Sequence, residues 1–401
     1  NTNFEIDGCF YKMKILRAYK TRLVINKTQE EYFRGCVGAA RYVYNWGLND
    51  RIERYKQGEN TNRYEQNTRF NSIKRELCPW IIDYPYVIIQ EEFGNLDTAY
   101  KNFFRRLKQG KEKAGFPKFK SRFKDNQSFS LRGSIRVESN KIKLPVIGWV
   151  KLAQKNYFPD DVKILKATVS ERAGYWFVSI QVEEEIPDPV PREDKTIGID
   201  LGIKSIAVIS DGKTFDNPKT LKEYEKKLAT LQRELSRRTK GGSNYNKTKQ
   251  KIAKLHYKIA SIRNKNLHEI SKYAVVTASP SKIVMEDLNV KGMMSNRHLS
   301  KALSDVAISE LKRQVQYKAE WHGVEFVLAD RWFASSKTCS DCGSKKEKLK
   351  LSERTYVCTE CGLVIDRDLN AALNLASYNF DSEPVNGGEL PVELECSNAP
   401  L

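Results

Sequence analysis

The spacing of apolar residues changes several times along the chain, and each change predicts a different element. Apolar and polar residues alternate in KIKLPVIGWVKL, VKILKATVSE and GYWFVSIQVEEE, which predicts strands across 127–186, and a further strand-like run lies near 14–26. Helical spacing follows that run, and two lysine-rich helices broken at TKGGSNYN are predicted within 219–273. A helix is predicted over 304–322, before a strand in VEFVLADRWFAS. The proline-rich segment IPDPVPRED is the clearest boundary, so the pattern predicts a multidomain α/β protein.

Acidic residues lie in three further short segments, each at or near the end of a predicted element. In KTIGIDLGIKSIAVISDG a predicted hairpin carries Asp200 on its first strand, and in SKIVMEDLNV a short apolar strand leads to Glu286. Asp366 and Asp368 open an alanine-rich helix. Any one of these acids alone is more often a solvated cap. Together they suggest a ribonuclease-H-like layout, in which acids converge on divalent metal and two Mg²⁺ ions support phosphodiester hydrolysis.

Four cysteines form two C-x-x-C pairs, Cys339 with Cys342 and Cys358 with Cys361. Each pair can fold as a tight turn that aims two thiolates at one point, and two such turns complete a tetrahedral Zn²⁺ site. With four protein ligands the metal would be structural, because no position is open to substrate. Two disulfides are the alternative interpretation, and the expected reducing compartment argues against them.

The composition indicates a polyanion as partner. The 401 residues are 40% hydrophobic and carry a formal net charge of +19, which favours nucleic acid. No run of about 18 apolar residues is present, so no membrane partner is expected. The first twenty residues lack a signal-peptide core, so we expect a cytoplasmic protein.

Aromatic and basic residues interleave between 100 and 124. Such rings either stack on bases while the cations meet phosphates, or pack as an ordinary helix face, and the sequence leaves both interpretations open. The rings are Tyr100, Phe103, Phe104, Phe116, Phe119 and Phe123.

Five motifs in one order carry a family resemblance. GIDLGIK, VMEDLNV, TCSDCG, VCTECG and DRDLNAALN together resemble TnpB, a family of transposon-associated RNA-guided nucleases related to type V CRISPR effectors. The resemblance implies a RuvC-like (ribonuclease-H-like) nuclease domain with an inserted zinc ribbon, a β-barrel wedge domain and a helical recognition domain. It implies Asp200, Glu286 and Asp368 as the catalytic, Mg²⁺-binding acids, with Asp366 as the fallback for the third. Asp287 is expected to point to the opposite face of an extended segment and to bind no metal.

The resemblance also implies domain boundaries. The predicted division is a wedge domain in two parts (1–27, and 126–190 with the linker), a recognition domain (28–125), a RuvC-like domain (191–334), a zinc ribbon (335–365), a final RuvC-like helix (366–380) and an acidic, disordered tail (381–401).

The function implied by the resemblance is RNA-guided DNA cleavage, at the nucleoid of a prokaryotic cell. A monomeric protein would bind a guide RNA, recognise a short motif beside the target in double-stranded DNA, and cut at one RuvC-like site with Mg²⁺, while Zn²⁺ is structural. Three alternatives stay open: a compact type V CRISPR effector, a guided DNA-binding protein without cleavage activity, and an unguided nuclease or transposase.

Overall fold

The computed structural model describes residues 12–110, 114–159, 162–187, 189, 192–350 and 352–378. The chain divides into two units, the first comprising 1–188 and 226–258 and the second 189–225 and 259–401. The predicted disordered tail, 381–401, lies outside the described residues. No helix in the described ranges is both long and apolar enough to cross a membrane.

The first unit contains a seven-stranded sheet with the order β2-β6-β7-β1-β5-β4-β3. Its strands are β1 (Lys12–Val24), β2 (Gln127–Leu131), β3 (Arg136–Glu138), β4 (Lys141–Leu144), β5 (Gly148–Leu152), β6 (Lys163–Arg172) and β7 (Tyr175–Pro187). β1 pairs antiparallel with β7 and, at Leu23 and Val24, with β5. The early strand therefore lies in one sheet with the strands of 127–186, and the assignment of this sheet to a wedge domain stays a prediction. No ladder joins the outer strands β2 and β3 in the described part of the chain, so a closed barrel stays a prediction.

Three helices accompany this sheet: α1 (Lys27–Lys56), α2 (Arg63–Leu77) and α3 (Val87–Lys108). The Asn26 side chain accepts a hydrogen bond from the Gln29 N–H and thereby caps α1, which confirms that helical structure follows Asn26. Phe33 of α1 packs edge-on against Phe129 and Trp176 of the sheet. Burial of this aromatic contact joins the helical layer to the strands.

The rings between 100 and 124 divide into two groups. Tyr100 stacks near Phe104, and Phe103 meets the edge of Phe116 with 5.3 Å between ring centres. Phe123, in contrast, is 84% exposed. Packing among the rings therefore accounts for part of the pattern, and stacking on bases stays a prediction for the exposed rings.

The second unit contains a five-stranded sheet with the order β10-β9-β8-β11-β12. Its strands are β8 (Thr196–Leu201), β9 (Ser205–Ile209), β10 (Thr214–Asp216), β11 (Lys282–Glu286) and β12 (Glu325–Ala329). β8 and β9 form the predicted antiparallel hairpin, and β11 runs parallel to both β8 and β12. The carboxyl ends of β8, β11 and β12 therefore lie along one edge of the sheet.

The helices that follow are α4 (Thr220–Ser236), α5 (Ser243–Lys272), α6 (Val290–Met293), α7 (Arg297–Val306) and α8 (Ile308–Trp321). The helical pair broken near TKGGSNYN is confirmed. The single helix predicted over 304–322 is wrong, because Ala307 adopts a left-handed φ of 54° and separates α7 from α8. Buried apolar residues continue on both sides of the break, including Leu303 and Leu311, so apolar spacing alone does not reveal it.

The two faces of the central strands meet different partners. Ile199 and Met285 belong to the buried cluster that also contains residues of α5, α7 and α8. On the other face lies α9 (Arg367–Ala376), which follows a two-stranded ribbon of β13 (Thr355–Val357) and β14 (Val364–Asp366). A side chain at Gly198 would collide with the backbone of α9 at Ala372 and Ala376. The glycine of the GIDLG motif therefore permits the close packing of the last helix on β8.

Candidate active site and metal centre

Asp200 and Glu286 lie side by side at the carboxyl edge of the central strands. In the parallel pair β8–β11, Ile199 is opposite Met285, so the next residue of each strand is Asp200 and Glu286. Side chains alternate between the faces of a strand, which puts both carboxylates on the face opposite Ile199 and Met285. That is the face on which α9 packs.

The two neighbouring aspartates of α9 have different environments. Asp366 is the N-cap, and its Oδ1 accepts hydrogen bonds from the N–H groups of Asp368 (2.9 Å) and Leu369 (3.1 Å). Asp368 lies in the first turn of the helix, 3.1 Å from Arg367 and 3.9 Å from Arg354. The side chain of Asp366 is therefore used to cap the helix, whereas the side chain of Asp368 makes no capping hydrogen bond.

The three acids form one electrostatic cluster. Burial raises the pKa of Asp200 well above its usual value, and the negative charges of Glu286 and Asp368 raise it further, while Arg367 opposes them. Burial likewise raises the pKa of Glu286, which the Ser335 hydrogen bond lowers and Asp368 raises. The cluster therefore disfavours three simultaneous negative charges unless a cation is present.

The carboxylates are nevertheless less tightly gathered than the cysteines. Among the described residues, the four cysteines are the one set of three or more potential ligands whose binding atoms all lie within 4.8 Å of one another. Asp368 is instead in contact with two arginines, Arg354 and Arg367. Asp287 forms ion pairs with Lys312 (3.0 Å) and Arg331 (3.1 Å) and not with the three acids or their arginines.

The cysteine cluster fits a tetrahedral Zn²⁺ ion. The Sγ atoms of Cys339 and Cys361 are 3.6 Å apart, as are those of Cys342 and Cys358. Four thiolates at the usual Zn–S distance lie about 3.8 Å from one another, so little adjustment is required. A hydrogen bond with Ser344 lowers the pKa of the Cys358 thiol to about 6, which favours the metal-binding thiolate.

Three residues that the motif analysis did not single out connect the ribbon to the acids. Ser335 Oγ donates a 2.5 Å hydrogen bond to Glu286 Oε1. From α9, Asn374 Nδ2 donates to the backbone oxygens of Ser335 (2.8 Å) and Thr338 (2.6 Å), and Asn370 Nδ2 donates to that of Thr338 (2.7 Å). Both asparagines are buried. Their spacing of four residues on one helix face is a sequence signal, but its partner loop is visible only in the fold.

Family models match this chain in three places. One described as "Probable transposase" matches 179–297, one described as "Cas12f1-like, TNB domain" matches 309–375, and one described as "Helix-turn-helix domain" matches 13–60. A protein of Streptomyces pristinaespiralis, described as "Putative RNA-guided DNA endonuclease", is 32% identical over 383 residues and covers 94% of this chain and 93% of the relative. The chain belongs to the TnpB family.

Further comparisons agree with membership of the TnpB family. An Escherichia coli K12 relative, described as "Putative RNA-guided DNA endonuclease InsQ", is 32% identical over 385 residues and covers 90% of this chain and 92% of its own length. The solved structure titled "Structure of the mini-RNA-guided endonuclease CRISPR-Cas_phi3" matches with a TM-score of 0.54 at 10% identity, over 91% of this chain and 92% of that one. This last likeness shows a shared mixed α/β fold.

Proposed function

We propose that this TnpB-family chain is an RNA-guided DNA endonuclease that cuts at one RuvC-like site formed by Asp200, Glu286 and Asp368. The observation that carries the assignment is the meeting of acids from β8, β11 and α9 on one face of a sheet. Family membership supports the guide and the DNA substrate, since both relatives described above carry that activity in their descriptions.

The three acids suit Mg²⁺. Carboxylate oxygens are the hard ligands this ion requires, and burial first, then neighbouring negative charge, raises the pKa of Asp200 and Glu286, so a bound cation would favour their ionised forms. Bound divalent ions supply an activated water and stabilise the charge of the phosphate under attack. The chain's own contribution is orientation: Ser335 holds Glu286, while the Asp366 cap fixes the first turn of α9 that carries Asp368.

The remaining parts take roles around this site. Residues 335–365 form a zinc ribbon held by Cys339, Cys342, Cys358 and Cys361. The sheet of β1–β7 and the helices α1–α3 act as the wedge and recognition domains, which bind the guide RNA and a short motif beside the target. The net charge of +19 supports extended contact with phosphates. We further propose that the protein acts as a monomer.

A compact type V CRISPR effector is the second candidate function. The match of 309–375 to the Cas12f1-like model favours it, because that segment contains both the zinc ribbon and the last acid. The two functions share one cleavage site and differ in the guide RNA. Retention of all three acids favours cleavage over guided binding alone.

Sequencing of the copurifying RNA tests this proposal. The protein is purified with its RNA, and duplex DNA that matches the RNA is offered with Mg²⁺ or with EDTA. We expect one RNA species encoded beside the gene, and cutting only with Mg²⁺. RNA with CRISPR repeats would favour the second candidate. Absence of a specific RNA, or cutting of DNA regardless of sequence, would contradict the guided function.

A further inference from the structure

The loop that follows β12 contacts Glu286 or its strand at both of its ends. Ala329, the last residue of β12, is the register partner of Glu286. Six residues later, the Ser335 hydroxyl donates its hydrogen bond to the same carboxylate. Trp332 lies midway, so its Cα is within about 11 Å of the Ala329 Cα, because consecutive Cα atoms are about 3.8 Å apart.

The side chains on both sides of Trp332 are anchored. Arg331 pairs with Asp287 at 3.1 Å. Phe333 packs edge-on against Tyr378 with 4.9 Å between ring centres, and it is partly buried against the cluster that contains Val284 and Leu375. The backbone is held as well, since the Trp332 N–H donates to Asp330 Oδ1 (2.7 Å) and the Phe333 N–H donates to the Asp330 oxygen (3.0 Å).

The indole of Trp332 is exposed to solvent, although the loop that carries it is anchored on both sides. It is 85% exposed, the largest exposed fraction among the exposed large hydrophobic side chains of the described residues. None of the ring contacts described for the chain involves it. Single exposed apolar side chains are common on protein surfaces, so the informative feature is the position of this ring, on an anchored loop whose two ends both contact the Glu286 segment.

We propose that Trp332 is a stacking platform for one base of the DNA strand that enters the acidic site. The apex of this loop is close enough to Glu286 for a base that neighbours a phosphate at the acids to reach the indole. Bases of any identity have a flat apolar face, so a fixed indole holds the strand without reading its sequence. This inference rests on the proposed function, and it makes Trp332 a positioning residue for the reacting phosphate.

Cleavage by Trp332→Ala, measured in the full chain with its guide RNA, tests the inference. Loss of one base–aromatic stack is expected to lower the cutting rate roughly 5- to 150-fold, and Trp332→Phe should recover most of the rate. Leu299→Ala is the control, because Leu299 is an exposed apolar side chain of α7 in the same unit and has no role in the acidic site or in guide binding. Wild-type rates for Trp332→Ala, or equal losses for the Ala and Phe variants, would overturn the stacking role.

Abasic nucleotides separate stacking from a general structural effect. A scan of single abasic positions around the cut should reveal one or two positions that slow the wild type and leave Trp332→Ala unchanged. The same abasic profile in both proteins would refute the inference.

A binding measurement separates this inference from the proposed function. With the guided complex in EDTA, 2-aminopurine beside the cut should be quenched by the wild type and not by Trp332→Ala. Quenching without any cutting in Mg²⁺ would refute the proposed function alone. Equal quenching by both proteins, with cutting intact, would refute the stacking alone.

Discussion

The cysteine cluster and the acidic cluster differ in how far apart along the chain their residues lie. The four thiols come from two short turns, and all their Sγ atoms lie within 4.8 Å of one another. The three acids come from β8, β11 and α9, which are distant in the chain, and the negative charges of Glu286 and Asp368 act on Asp200. A structural metal site can be completed by local turns, whereas the acidic site depends on sheet register and on the packing of α9 against Gly198.

The difference extends to the charge that each cluster tolerates. The Ser344 contact lowers the pKa of the Cys358 thiol, whereas burial and hydrogen bonds from the neighbouring cysteines raise that of Cys361, so the cysteine cluster combines a thiol that ionises readily with one that ionises when metal binds. Burial and the negative charges of its neighbours disfavour the ionised form of Asp200, so full ionisation of the acidic cluster costs free energy unless cations bind. We therefore expect the first cluster to support folding, and the second to support chemistry at some cost in stability.

The largest expected effect is loss of cutting when an acid is removed. Asp200→Ala, Glu286→Ala and Asp368→Ala should each lower the cutting rate by roughly 10³-fold or more, because several kcal/mol of transition-state stabilisation depend on the bound metal. Guide-dependent DNA binding should remain, as measured by electrophoretic mobility.

Asp366→Ala is the control for the third acid. Loss of the N-cap costs about 1 kcal/mol of stability and loosens the turn that carries Asp368, so cutting should fall far less than in Asp368→Ala. A dead Asp366→Ala beside an active Asp368→Ala would reverse our choice between the two aspartates. Normal cutting by Asp200→Ala would refute the site.

The second effect concerns the ribbon, where Cys339→Ser should remove zinc and reduce soluble yield. A closed four-thiolate site contributes its binding energy to folding, and Cys339 is buried in the ribbon core beside Tyr356. Elemental analysis should give one zinc per wild-type chain and none in the variant. Cys396→Ser, which changes a cysteine outside the cluster, should retain the metal. Absence of zinc from the wild type, or pairwise oxidation of the cysteines, would contradict the site.

Sequence patterns predict these two regions unequally. The cysteine pairs and the strand that ends at Glu286 are short-range signals, and the structure contains both elements. The hydrogen bond from Ser335 to Glu286 depends on the return of a distant loop, so no local pattern indicates it. The break at Ala307 is missed for a related reason, because the apolar spacing continues through it while tertiary packing sets its left-handed backbone.

The third effect links the two regions through Ser335. Ser335→Ala should lower cutting about 10- to 100-fold and raise the Mg²⁺ concentration required, because partners that orient a metal ligand have effects of that size. Ser335→Thr keeps the hydroxyl and should retain much of the activity. Ser340→Ala is the control, since Ser340 contributes its backbone N–H to Asn370. An unchanged Mg²⁺ requirement in Ser335→Ala would argue that Ser335 does not orient Glu286.

The smallest effect is a gain in stability when the buried charge of Asp200 is removed. The pKa of Asp200 is raised in the folded protein, so the unfolded chain loses this proton at lower pH than the folded chain does. Stability of the metal-free protein therefore falls as pH rises from the unfolded value of 3.8 through the raised folded value. Asp200→Asn removes that dependence and should raise the Tm in EDTA, by about 2–4 °C for each kcal/mol relieved.

Asp287→Asn should change stability in the opposite direction. The hydrogen bond from Lys312 lowers the pKa of Asp287, so its ionised form stabilises the fold above its unfolded pKa and that contribution is lost as pH falls. Its loss at pH 7 should lower the Tm slightly, because the pair is partly exposed and such pairs contribute little.

Thermal unfolding of Asp200→Asn and Asp287→Asn, in EDTA and in Mg²⁺, checks the direction of each change in Tm. Mg²⁺ should stabilise the wild type and Asp287→Asn, and stabilise Asp200→Asn less, because that variant has lost a ligand. A fall in Tm for both variants would mean that the charge of Asp200 is already compensated without metal, and that the contrast between the two clusters is wrong.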